Sequence, residues 1–208
     1  MSGRQTCRDY DVPLLTSLFA TALLMAIGLS ILLLGTAETT LAAHDRDARA
    51  LAYAARAAAA VAAADLRVLP SWAALAAPGA VPEVSATPGA FVDSTLAPAA
   101  PWGAAPLDLR ALTTRLQAES DAASPSAGVA PRWRLFEYGA LTRLVPEAGF
   151  RNPYYLVVWV ADDAGTALIR AVAYGPGEGR SITEISMIRQ PVPGGPDEVR
   201  VLTVRPGR

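Results

Sequence analysis

Hydrophobic residues follow three different patterns along this chain, and each predicts a different element. From Val12 to Ala37 about 26 consecutive residues carry no charge, which predicts a membrane-spanning helix. From Glu38 to Arg67 alanine predominates and no proline intervenes. There Leu51, Ala55, Ala58, Ala62 and Leu66 recur every three or four residues as one apolar stripe, while Arg46, Arg49, Tyr53 and Arg56 form another face. The two segments predict one continuous helix from Leu14 to Arg67, about 80 Å long at about 1.5 Å per residue, with about half of it beyond the bilayer. Pro70 ends it, because proline donates no backbone hydrogen bond and clashes with the preceding turn.

The third pattern begins after a stretch in which Pro70, Pro78, Pro82, Pro88, Pro98, Pro101 and Pro106 alternate with Ala and Gly. Such a composition predicts extended connection rather than core. Within it Leu109, Leu112 and Leu116 stand at helical spacing behind Asp108, so a short capped helix is expected from Leu109 to Glu119. Runs rich in Val, Ile, Leu and aromatics then predict strands at Arg132–Tyr138, Tyr154–Ala161, Ala167–Tyr174, Ser181–Arg189 and Glu198–Val204. The links between the last four strands are too short for parallel crossovers, so an antiparallel meander is expected. Tyr155 to Val160 is apolar at nearly every position, as a central strand covered on both faces would be. The alternation after Ile185 leaves room for a bulge.

The predicted fold is α+β, a long N-terminal helix packed on a C-terminal antiparallel sheet. Its divisions are an N-terminal segment 1–13, a transmembrane helix 14–37, a continuation of that helix 38–67, a Pro/Ala-rich linker with one short helix 68–131, and a sheet domain 132–208.

Composition narrows the function. The net charge is −1, so no nucleic acid or other polyanion is implied as a partner. All 18 basic residues are arginine, an observation that carries no mechanism. The single cysteine, Cys7, excludes an intramolecular disulfide. The apolar run is longer than the roughly 7–15 residues of a signal-peptide core, which favours a permanent anchor, although Leu41-Ala42-Ala43 supplies a small-residue cleavage alternative. Arg4 and Arg8 are offset by Asp9 and Asp11, and Arg46, Arg49 and Arg56 follow the run, so charge does not fix its orientation.

Candidate chemistry is sparse. His44 is the only histidine, no nucleophile has a positioned base, and no metal-ligand cluster is apparent, so no catalytic, cofactor or metal site is expected. Asp162 and Asp163 offer oxygen ligands of the kind calcium takes, but two adjacent carboxylates in a hairpin read first as a solvated turn. Gly175, Gly177 and Gly179 lead from strand to strand, unlike a phosphate loop. The candidate residues are instead for helix packing: Ser17, Thr21, Gly28 and Gly35 as small positions in the anchor, Glu38 at the headgroup boundary, and Ala55, Ala58 and Ala62 as a close-contact surface for neighbouring helices.

The series Thr36-Ala37-Glu38-Thr39, Ala42-Ala43, Arg46-Asp47, Ala52-Tyr53-Ala54-Ala55, Asp65-Leu66 and Leu69-Pro70-Ser71-Trp72 resembles the N-terminal region of PilX-type minor pilins. Trp133 to Gly139, Tyr154 to Asp163 and Leu168 to Gly177 are similar to later segments of the same pilus assembly proteins. The resemblance covers most of the chain outside the proline-rich stretch and rests on the order and spacing of these segments.

It implies a non-enzymatic component of type IV pilus biogenesis, a single-pass inner-membrane protein with a cytoplasmic N-terminus and a periplasmic C-terminal domain. Implied partners are membrane lipid, the assembly platform, and other minor pilins and the major pilin, met through the N-terminal helix. Two features depart from the prepilin pattern: no glycine stands beside Asp11-Val12-Pro13, and Leu14 to Ala20 lacks a glutamate. K-type pseudopilins of type II secretion share the second departure. The alternatives are therefore a pseudopilin or a membrane-anchored binding module, and the alanine-rich extension, which a mere tether does not need, favours assembly.

Overall fold

The computed structural model describes residues 11–69, 71–72, 92–100, 103, 105–123, 131–146, 153–194 and 197–207. Cys7, and most of the proline-rich stretch including Pro70, Pro78, Pro82, Pro88 and Pro101, lie outside the described residues. The chain is α+β: a long N-terminal helix, α1 (Asp11–Val68), precedes a five-stranded antiparallel sheet. The remaining elements are α2 (Leu109–Ala123), β1 (Arg134–Ala140), α3 (Leu141–Leu144), β2 (Tyr155–Asp163), β3 (Thr166–Tyr174), β4 (Arg180–Gln190) and β5 (Glu198–Pro206). Contacts divide the chain into two units, Met1–Asp47 and Ala48–Arg208, with α1 continuous in sequence through the boundary.

In the second unit the sheet order is β1-β2-β3-β4-β5, the expected meander. The side-chain period of two sorts β2 onto two faces. Leu156, Val158 and Val160 join Ile169, Ala171, Ile185 and Met187 beneath the alanine stripe of α1. Tyr155, Val157 and Trp159 face Leu109 and Leu116 of α2. The sheet is thus the middle layer of three, which is why β2 is buried from Tyr155 through Ala161.

In the unit Ala48–Arg208, Leu51 through Leu66 supply one whole side of the core. Described residues of 68–131, expected as a linker with one short helix, also bury side chains in the core. Trp72, Ala100, Leu109 and Leu116 are buried, and Leu96 packs with the α2 cluster. Asp93 fastens this segment: its amide donates to Tyr138 O (2.8 Å), and its carboxylate accepts from the Tyr155 hydroxyl (3.2 Å) and pairs with Arg143 (3.3 Å). Asp108 caps α2 as expected, its Oδ1 accepting from the amides of Arg110 and Ala111 at 3.0 Å each. The helix continues past Glu119 to Ala123.

Two bulges shape the sheet. Ser186 pairs with Thr203 and Met187 with Val201, so the irregularity expected in β4 has its extra residue, Leu202, on β5. Leu135 pairs with Trp159 and Glu137 with Val158, leaving Phe136 as the extra residue of β1 and turning Glu137 inward to the α1 face. At the β2–β3 hairpin Ala164 (φ 50°) and Gly165 (φ 88°) both adopt left-handed backbone, and Gly165 N donates to Asp162 Oδ1 at 3.0 Å. Asp162 therefore closes its own turn.

Candidate functional site

The first unit presents an uncovered apolar helix. Its large side chains between Leu14 and Leu34 are 49–78% exposed, and this helix is long and apolar enough to cross a membrane. Its polar groups are closed internally. Ser17 Oγ donates to Leu14 O (2.9 Å), Thr21 Oγ1 to Leu18 O (2.9 Å) and Ser30 Oγ to Ala26 O (2.8 Å). Thr36, Thr39 and Thr40 bond backward in the same way. A hydroxyl satisfied by its own helix needs no water, so these residues do not spoil an apolar environment.

At about 100° per residue, Ser17, Thr21, Gly28 and Gly35 fall within about 40° of one another on the helix circumference. A Cβ added at Gly28 or Gly35 would meet nothing within 4 Å, so both glycines are open to an outside neighbour. Glu38 is exposed and lies about 60° from this line.

The second half of the expected packing surface is elsewhere. Ala55, Ala58 and Ala62 are fully buried against the protein's own sheet, so they are not a contact surface for neighbouring helices. The physical reason is that the meander leaves one apolar face open, and the alanines let α1 lie close upon it. Leu51 ends this contact in a niche where a Cβ at Gly175 would come within 3.0 Å, and one at Gly179 within 3.1 Å, of its methyl carbons. The glycine-rich turn between β3 and β4 is therefore shaped by packing on α1.

At the far end of the helix, Trp72 Nε1 donates to Leu66 O (2.9 Å) and Arg189 donates to Leu69 O. The Arg189 guanidinium also lies 5.1 Å from the centre of the Trp72 ring. Side chains from β4 and from the following segment thus satisfy carbonyls at the C-terminus of α1, where backbone acceptors are otherwise left open.

A buried carboxyl group of the sheet lies inside the α1–sheet contact. Glu137 is 2% exposed, and burial, then a hydrogen bond and repulsion from the Asp65 carboxyl, push its pKa from 4.5 up to about 8. Sequence spacing gave no sign of this pair, because residues 65 and 137 meet only through the Phe136 bulge.

Among the described residues no group of three or more His, Cys, Asp or Glu side chains is placed to hold a metal. Among the described residues, the surfaces best arranged to engage something outside the chain are the open line on α1 and the cleft between α2 and the sheet. No family model, curated protein or solved structure matches this chain.

Proposed function

We propose that the protein is a non-enzymatic assembly component of a type IV pilus, similar to PilX-type minor pilins, that promotes filament initiation. It is held in the inner membrane by the first part of α1, with its N-terminus in the cytoplasm and the unit Ala48–Arg208 in the periplasm. The observation that carries the reading is the continuity of α1. The helix passes without a break from an exposed apolar segment into residues that form the core of the sheet unit. A simple tether needs no such shared helix, and this favours an assembly subunit over a membrane-anchored binding module.

In this reading the line of Ser17, Thr21, Gly28 and Gly35 receives the helices of other pilins, since small residues allow close approach between helices in lipid. Glu38 stands at the headgroup boundary. The test is photo-crosslinking in cells from a reactive residue at Gly28 or Gly35. Crosslinks to pilin subunits are expected from both positions, and recovery of lipid adducts alone from a well-expressed protein would contradict the assignment.

A further inference from the structure

A cleft between α2 and the sheet has the makings of a binding site. The period of two places Arg170 and Tyr174 of β3 on the same face as Arg180 and Glu184 of β4, with Arg170 opposite Glu184 and Tyr174 opposite Arg180. Helix α2 adds Arg115 and Glu119, and Trp159 contributes to an otherwise apolar floor.

The charges do not balance. Glu119 pairs with Arg115 (3.1 Å) and Arg170 (4.0 Å), and Glu184 pairs with Arg170 (3.5 Å) and Arg205 (2.9 Å). Three arginines thus share two carboxylates, and among the described residues a fourth, Arg180, forms no ion pair. Burial raises the Tyr174 pKa above its ordinary value against the opposing pull of Arg180, Arg170 and Arg115. Its hydroxyl accordingly keeps its proton and can donate.

From this juxtaposition we infer that the cleft receives a carboxylate, held by Arg180, Arg170 and the Tyr174 hydroxyl. Size narrows the ligand. The cavity is about 50 Å³, several times the roughly 10–15 Å³ that one water needs on the same kind of measure and so enough for a carboxylate and the carbons next to it. The rest of the ligand must stay outside, so the fitting group is the acidic side chain of a polypeptide, anchored by charge-assisted hydrogen bonds from planar guanidinium groups.

The test is nuclear magnetic resonance of the arginine Nε–Hε groups of the full chain in detergent micelles at constant ionic strength. N-acetylglutamate methylamide, N-acetylglutamine methylamide, acetate and inorganic phosphate are titrated in turn. The glutamate probe is expected to shift the Arg180 and Arg170 signals saturably, with acetate weaker. Arg180→Gln should weaken binding about tenfold, and Arg200→Gln, on β5 and away from the cleft and its ion pairs, should leave it unchanged. Equal shifts with the neutral glutamine probe, or shifts that never saturate, would overturn the inference. Saturation by acetate as tight as by the glutamate probe would overturn the polypeptide source, and saturation by phosphate alone would overturn the carboxylate.

Discussion

Glu137 on β1 is buried in the helix–sheet contact, within reach of a hydrogen bond with the Asp65 carboxyl of α1. Two carboxyl oxygens can share such a bond only if one carries a proton, and the raised pKa of Glu137, about 8, assigns it there at neutral pH. The arrangement depends on the bulge at Phe136. Regular alternation would turn Glu137 toward the opposite face of the sheet, the side covered by α2.

A stability profile follows from the pair. Folded Glu137 holds its proton up to about pH 8, whereas the unfolded chain releases it near 4.5. Its contribution to stability is therefore complete below pH 4.5 and is lost as pH rises through 8. Glu137→Gln keeps a hydrogen-bond donor to Asp65 without the proton. Thermal melts of the full chain in detergent should show the variant gaining about 1–3 kcal/mol over the native protein at pH 9 and little at pH 5. Equal pH slopes for the two proteins would show that the pair does not titrate in this way.

Ala58→Trp should act on folding. Ala58 has no exposed surface and rests on the sheet, so an indole there separates α1 from β2 and β3 at about 3 kcal/mol or more. Loss of the protein from membranes and a depressed melting midpoint are expected. Gly28→Leu, where nothing lies within 4 Å, should leave melting unchanged. A fully stable Ala58→Trp protein would place the helix elsewhere.

The minimal folding unit should begin at Ala48. A fragment of residues 48–208 retains both faces of the sheet covered and is expected to unfold cooperatively. A fragment beginning at Ser71 exposes the Leu156, Val158 and Val160 face to water and should aggregate or lack a cooperative transition. Circular dichroism during heating distinguishes them, and equal cooperative melting of the shorter fragment would refute the division.

Much of this architecture is legible in the sequence because it is local. The uncharged run, the Asp108 cap with Leu109, Leu112 and Leu116, and the apolar β2 flanked by short turns each need only neighbouring residues to interpret. What sequence could not supply is the identity of the partner across a surface. The stripe of Ala55, Ala58 and Ala62 announces that something packs there, but periodicity does not distinguish another helix from the protein's own sheet. Asp93, Glu137 and Arg189 belong to the same class. Each is polar, each meets partners more than 40 residues away or across a bulge, and a pattern read along the chain treats each as solvated.

The central claim, that this helix takes part in building a filament, is tested most directly by counting surface pili in a strain lacking the gene. The count is made without complementation and with the native protein or the double variant Gly28→Leu/Gly35→Leu, each scored beside membrane abundance. Loss of pili in the deletion, restoration by the native protein, and failure of the variant at equal abundance are expected. Normal piliation in the deletion strain would contradict it.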